Sequence, residues 1–281
     1  SMRILITDPV DESLIKILRE KQCEVIYKPD ILHDELLREV EDVNVLVVRS
    51  RTKVTREVID NSKSLRLIAR VGVGLDNIDV QYAMEKGIEV INAGEATAWS
   101  VAELAIGLMI CLARKVHFGY MGLREGRWVK KKAIGLELRG KTLGIIGVGN
   151  IGSRVGHIAY HGLGMKVLGY RRRLELIKPP IVPAKLDELL SESDIISIHI
   201  PLTSETRGFI DKEKIERMKD GVLIVNTSRM EVLDLEAIIE GLKGGKIGGL
   251  AADTNLKPDN PQIKELLSLP NVILTPHIGV Q

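Results

Sequence analysis

The stretch Thr142-Leu-Gly-Ile-Ile-Gly147-Val-Gly149-Asn-Ile-Gly152 decides the reading of this chain. Its apolar first half predicts a strand ending at Gly147, and the segment Ile151 to His161 predicts a helix. A second apolar run, Lys166 to Tyr170, predicts the next strand. Glycines 147, 149 and 152, set between strand and helix, form the G-x-G-x-x-G fingerprint of a dinucleotide-binding turn. Gly147 permits the tight turn, Gly149 lets backbone approach a pyrophosphate, and Gly152 lets helix and strand pack closely. The helix N-terminus then offers free N–H groups to the anion, through Val148, Asn150 and Ile151. Nineteen residues past Gly152, Arg171-Arg172-Arg173 stands where an acid is usual. An acid after Tyr170 would bond the ribose 2′-hydroxyl of NAD, whereas arginine suits a 2′-phosphate. NADP(H) is therefore expected to be favoured by Arg171 and Arg172, with NAD(H) possible.

On both sides of this unit, short β-branched runs alternate with amphipathic segments, the pattern of parallel sheets with helical crossovers. Strands are expected at Arg3–Ile6, Cys23–Tyr27, Val45–Val48, Arg66–Ala69 and Glu89–Ile91, with a helix after each of the first four. One long helix is expected from Ala98 to about Gly126. A second series follows, with strands at Ile195–Ile198, Val222–Val225, Gly249–Ala252 and Val272–Leu274. The fold class is α/β, with two doubly wound parallel-sheet domains and an interdomain cleft. The first is flavodoxin-like over 1–94 and takes the substrate; the second is a Rossmann dinucleotide-binding domain over 95–281. Ligands of such sheets bind beyond the carboxyl ends of the strands.

Composition limits the function classes. The 281 residues carry a formal net charge of +2, which makes no case for a nucleic-acid or membrane partner. Cys23 and Cys111 stand far apart without metal-ligand spacing, so neither a disulfide framework nor a metal site is expected. The longest apolar run, Ala105 to Ala113, is about half of the roughly 20 residues a membrane span requires. Ser1 precedes Met2, the expected native start, with no leader pattern, so a cytoplasmic protein is expected.

Further motifs occupy the remaining strand ends. They are Val48-Arg-Ser-Arg-Thr-Lys-Val54, Arg70-Val-Gly-Val-Gly-Leu-Asp-Asn-Ile-Asp79, Ser100-Val-Ala-Glu103, Gly140-Lys-Thr-Leu-Gly144, His199-Ile-Pro-Leu-Thr203, Asn226-Thr-Ser-Arg229 and Thr275-Pro-His-Ile-Gly279. Together they resemble the D-isomer-specific 2-hydroxyacid dehydrogenases, most closely a short D-3-phosphoglycerate dehydrogenase, from Ile4 to Gly279. Reducing a 2-oxo acid requires a cation for the carboxylate, a hydride donor, and an acid for the developing alkoxide. The resemblance gives the carboxylate to Arg229, whose planar fork can pair with it, and the proton to His277. It places the cofactor against Val101, Tyr170, His199, Pro201, Thr203, Thr227, Ser228, Arg229, Asp253, His277 and Gly279, with Asp253 at the nicotinamide carboxamide. It places the substrate against Arg49, Ser50 and Arg51, whose motif holds a phosphate in relatives, and against backbone at Val73 and Gly74. Arg49, Arg51 and Lys53 alternate along an extended segment and so share a face.

The chain departs from the family pattern in three places. The third catalytic residue, a glutamate paired with the histidine, is expected within Asp253-Thr-Asn-Leu-Lys-Pro-Asp259, where Lys257 or Pro258 stands instead. Asp259 is either a substitute or a solvated loop acid. Met230 follows Arg229 where glycine is usual, and Gln281 comes before the helix that in relatives returns to the first domain. The 98–126 helix resembles the dimerisation element, so a homodimer is expected. In Gly126-Arg-Trp-Val-Lys-Lys-Lys132, Lys130 and Lys131 either approach a partner's cleft or form an exposed arm. The expected reaction is hydride transfer between NAD(P)(H) and a D-2-hydroxy acid/2-oxo acid pair, 3-phosphoglycerate/3-phosphooxypyruvate first, with glyoxylate or hydroxypyruvate as the alternative. A dinucleotide-binding interaction protein with weakened turnover is the other reading, motivated by the missing glutamate.

Overall fold

The computed structural model describes residues 1–72 and 75–279, which divide after Thr97 into two compact units. The first unit runs β1 (Arg3–Ile6), α1 (Glu12–Glu20), β2 (Glu24–Tyr27), α2 (His33–Glu39), β3 (Val45–Val48), α3 (Arg56–Asn61), β4 (Leu67–Arg70), α4 (Val80–Glu85) and β5 (Glu89–Asn92). All its strands are parallel, in the order β2-β1-β3-β4-β5 of flavodoxin-like sheets. Strand residues alternate between two cores. Leu5, Leu46, Val48 and Ile68 face α2 to α4, while Ile4, Ile6, Val45 and Val47 pack on the other face with Ile15 of α1. Each fully buried Leu or Ile contributes about 1.5–3 kcal/mol, so the apolar runs dictate this layering. Side-chain caps on Asp11, Thr55 and Asp79 start α1, α3 and α4, each contributing about 1 kcal/mol.

The chain continues through α5 (Ala93–Ala113) and α6 (Val116–Arg124) into the second sheet. That sheet is built from β6 (Thr142–Ile146), α7 (Asn150–Leu163), β7 (Lys166–Tyr170), β8 (Val182–Pro183), α8 (Leu186–Glu192), β9 (Ile195–Ile198), α9 (Lys212–Arg217), β10 (Val222–Asn226), α10 (Leu235–Lys243), β11 (Ile247–Asp253), α11 (Pro261–Leu267) and β12 (Val272–Thr275). Its parallel order, β12-β11-β10-β9-β6-β7-β8, reverses between β6 and β9. This is the Rossmann arrangement, and the reversal is the switch point beside which ligands bind. Leu143, Ile145, Val225 and Ala251 face α5 and α7, whereas Ile146, Ile224, Leu250 and Ala252 face α8, α10 and α11.

One expectation needs correction, and one strand lies beyond those expected. The stretch from Ala98 to Gly126 is two helices, because Lys115 adopts a left-handed conformation (φ 55°) and ends the first. The Ala113 carbonyl, which a continuing helix would use, instead accepts the N–H of Leu136 at 2.7 Å. Gly135 makes that approach possible, since a Cβ there would run into the backbone of Ala113 and Arg114. The exposed pair Val182–Pro183 adds an edge strand that carries no apolar signal. Among the described residues no helix is long and apolar enough to cross a membrane.

Candidate active site

The turn after β6 contains two kinds of glycine. At Gly147 (φ 100°) a Cβ would strike the His199 carbonyl, and at Gly152 it would strike the Gly147 carbonyl. At Gly149 a Cβ would meet nothing within 4 Å. Two glycines therefore close the turn, and the middle one keeps backbone open to a ligand. No side chain caps α7 and its first turn holds no acid, so its N–H groups and positive dipole end stay available to an anion. The cradle fits a pyrophosphate.

At the end of β7, the Arg171 guanidinium donates to the Val148 carbonyl inside this turn at 3.0 Å. Arg172 lies on the surface and pairs with Glu205 at 2.8 Å, and Arg173 pairs with Glu175 at 2.9 Å. At the end of β9, His199 sits between two hydroxyls, with Ser197 Oγ 2.7 Å from Nε2 and Thr227 Oγ1 3.3 Å from Nδ1. Burial strips water from this ring and lowers its pKa to about 4, so it is neutral at physiological pH. Thr206 folds the following loop, donating to the Pro201 carbonyl at 2.6 Å and bonding Thr203.

After β10 the buried Asn226 builds a tight turn. Its Oδ1 accepts the Ser228 N–H and hydroxyl, and its Nδ2 donates to the Arg229 carbonyl at 3.1 Å. The Arg229 side chain is exposed and, among the described residues, has no hydrogen-bond or ion-pair partner. Met230, which replaces the expected glycine, is fully buried in the core, and its N–H donates to Asn255 Oδ1 at 2.9 Å.

The ends of β11 and β12 are joined by a buried carboxylate. Asp253 accepts the Thr275 hydroxyl at 2.7 Å and the N–H groups of Ile278 and Gly279 at 2.9 and 2.8 Å. These bonds enclose His277, which stands in the left-handed region (φ 53°) with its ring exposed. Ser100 Oγ on α5 donates to the Gly279 carbonyl at 2.6 Å, and buried Val101 packs beside it. Lys257, Pro258 and Asp259 are all exposed, and among the described residues no hydrogen bond joins Asp259 to His277.

In the first unit, buried Asp8 organises the loop after β3. It accepts the N–H of Arg49 (2.6 Å) and of Thr52 (3.1 Å), the Thr52 hydroxyl (2.6 Å), and Arg51 Nε (3.0 Å). Arg51 also donates to the carbonyls of Thr7 (2.6 Å) and Ile31 (2.9 Å), so its fork is engaged within the fold. Arg49, Ser50 and Lys53 are exposed, and Arg49 makes one long bond, 3.4 Å, to the Pro9 carbonyl. Val73 and Gly74 lie outside the described residues.

Residues 106–279 match the family described as D-isomer specific 2-hydroxyacid dehydrogenase, NAD binding domain. Over 279 residues the chain is 46% identical to a hydroxypyruvate reductase of Thermotoga maritima, spanning 99% of this chain and 91% of that protein. The chain belongs to the D-isomer-specific 2-hydroxyacid dehydrogenases. It is also 43% identical to a D-3-phosphoglycerate dehydrogenase of Archaeoglobus fulgidus, of whose length it spans 53%. Its fold matches the structure of an acyclic imino acid reductase (Bsp5) solved with NADPH and D-Arg, with a TM-score of 0.67 at 28% identity. That match covers 100% of this chain and 91% of the other.

As a D-2-hydroxyacid dehydrogenase, the protein is an oxidoreductase using a nicotinamide dinucleotide, and the open turn at Gly149 fits that cofactor. Its second unit brings the predicted residues of the glycine turn, Arg229, Asp253 and His277 to the carboxyl edge of one sheet. Sequence reasoning missed Asn226, Ser197 and Asn255, which touch these residues or their neighbours. Asn226 stands in the quoted motif, and its position just before a turn was the available signal. No local signal marks Asn255.

Proposed function

We propose that the protein reduces hydroxypyruvate to the D-2-hydroxy acid, with the first unit as substrate domain and the second as dinucleotide-binding domain. The single observation that carries the reading is the Arg229 guanidinium, without a partner among the described residues, on a hydrogen-bonded turn. A bidentate fork presented this way binds a carboxylate without first breaking a bond of its own. Bound reduced nicotinamide supplies the hydride. His277, held in place by Asp253, donates its proton to the substrate oxygen as negative charge develops there. The Gly147–Gly152 turn and the α7 N-terminus hold the pyrophosphate, and the neutral His199 ring, bonded to Ser197 and Thr227, fixes those hydroxyls at the strand ends beside it.

Hydroxypyruvate is placed ahead of 3-phosphooxypyruvate because Arg51, one of two arginines expected for a phosphate, is engaged by Asp8, Thr7 and Ile31. The hydroxypyruvate reductase also matches over most of its own length. Exposed Arg49 and Lys53 favour the phosphorylated substrate as a second reading. Steady-state rates on hydroxypyruvate, glyoxylate and 3-phosphooxypyruvate decide between them. Turnover of none would overturn the proposal. A phosphate preference abolished by Arg49→Ala would establish the second reading.

With no acid after Tyr170, Arg171, which gives only one donor to the Val148 carbonyl among the described residues, and Arg172, whose exposed pair with Glu205 exchanges readily for a phosphate, support NADP(H) binding at least as tight as NAD(H). Titration of both cofactors at one ionic strength tests this, because salt screens phosphate contacts. A homodimer through the 98–126 region is supported by exposed Val116, Tyr120, Met121 and Leu123, with Trp128 and Ile134 just beyond. Surfaces of that kind mark protein contacts. Sedimentation of Leu123→Glu should show monomer where the parent shows dimer.

A further inference from the structure

We propose that Asn255 is a positioning residue that sets the direction of Arg229, resting on the reading of Arg229 as the carboxylate anchor. The peptide unit joining Arg229 to Met230 is held at both ends by side-chain amides. Its carbonyl accepts Asn226 Nδ2 at 3.1 Å, and its N–H donates to Asn255 Oδ1 at 2.9 Å. Asn226 belongs to the turn itself, only three residues away. Asn255 comes from the loop after β11, twenty-five residues along the chain, and ties the turn to a separate element.

The orientation of the Asn255 amide is determined by its surroundings. Its Nδ2 donates to Glu231 Oε1 at 2.8 Å, so Oδ1 must face the Met230 N–H. A flipped amide would set donor against donor and oxygen against carboxylate. The loop that carries Asn255 is fixed in turn. Thr254 N–H extends the sheet to the Thr275 carbonyl at 2.8 Å, and Thr254 Oγ1 bonds both the N–H and the carbonyl of Leu256. Glu231 is anchored through its own carbonyl, which accepts the Gly208 N–H at 2.8 Å. Buried Met230 locks the far side of the turn into the core.

This arrangement bears on binding because an arginine on a loose turn must be ordered when a carboxylate arrives. That ordering subtracts from affinity, and a preset backbone avoids it. The segment Asp253–Pro258 therefore has two tasks in this chain. Asp253 holds the His277 corner, and two residues later Asn255 holds the Arg229 turn. The stretch in which the resemblance calls for a glutamate supplies an amide directed at the other functional residue.

The test combines hydroxypyruvate kinetics, oxamate binding to the protein–NADH complex, and NADH affinity by fluorescence, all on the full chain. Asn255→Ala should raise both the hydroxypyruvate KM and the oxamate Kd about 10-fold while moving NADH affinity less than about 2-fold. Because Asn255 acts through Arg229, the same change made in Arg229→Gln should add less than about 2-fold. The exchange Asn255→Asp with Glu231→Gln keeps both hydrogen bonds with one donor reversed, and should stay within about 3-fold of the parent. An unchanged KM and Kd in Asn255→Ala would overturn the proposal, as would an equal penalty in the Arg229→Gln background. If Asn255→Ala fails to fold, the exchange variant decides: normal oxamate affinity supports the proposal and a 10-fold loss overturns it. Arg229→Gln with parental KM and oxamate affinity would remove the anchor reading itself, and this proposal with it. An effect at Arg229 and none at Asn255 removes only the present one.

Discussion

The loop after β3 in the first unit and the turn after β10 in the second carry the same sequence signal with opposite structural outcomes. Each places an arginine just past a buried strand. Arg51 bonds Asp8, Thr7 and Ile31 through its guanidinium, while the Arg229 side chain bonds nothing among the described residues. An arginine whose donors close its own fold contributes stability, and one whose backbone is held by others while its donors stay free is open to a ligand. Position at a strand end does not separate the two cases; the surrounding acceptors do.

The largest expected effect breaks this comparison from the free side. Arg229→Ala should lower kcat/KM for hydroxypyruvate by about 10³-fold or more, some 4 kcal/mol, with melting temperature unchanged. A large loss of melting temperature would show that Arg229 is structural after all. His199, with both ring nitrogens occupied, sharpens the engaged class next. Its folded pKa of about 4 lies below the ordinary 6.5, so the unfolded chain binds the extra proton between those values. Stability should therefore fall as pH drops from 6.5 towards 4, by up to about 3 kcal/mol from this residue. Denaturant melts across that window should show a flatter slope in His199→Gln, and an identical slope would refute the assignment.

Arg51→Ala tests the engaged arginine. It should cost about 2 kcal/mol, because it removes the charge partner of buried Asp8 and two backbone bonds. Turnover of hydroxypyruvate per folded molecule should survive, and chemical denaturation beside kinetics reads both. The smallest effect concerns the exposed Lys257–Pro258 loop. Lys257→Glu or Pro258→Glu should move the alkaline limb of the reduction profile to higher pH, at about 1.4 kcal/mol per unit moved. An unmoved limb in both variants would mean that the loop stands too far from His277.

Most of the fold was legible because parallel strands buried on both faces read as apolar runs, so β1, β3, β7 and β9 fall where hydropathy puts them. The glycine turn was legible because steric demands at Gly147 and Gly152 leave no other residue type. The helix break at Lys115 was not. Neither Gly nor Pro stands at residues 114–115, and the cause is a contact from Leu136, over twenty residues away. The engagement of Arg51 by Asp8 was hidden for the same reason, since the partner lies on a different strand end. Asn255 shows the limit most clearly. A loop amide is the commonest of sights, and only the folded chain brings its oxygen to the Met230 N–H.

The bond between Ser100 and Gly279 joins residues 179 apart in sequence. On a ribosome adding about 5–20 residues per second, roughly 10 to 40 s separate the synthesis of its two ends. The glycine turn and α7 are complete long before the Gly279 carbonyl exists for Ser100 to hold. The residues of the glycine turn are thus available early in synthesis and those of the His277 corner last. A stalled nascent chain ending before residue 275 holds every residue of the glycine turn and lacks His277 altogether.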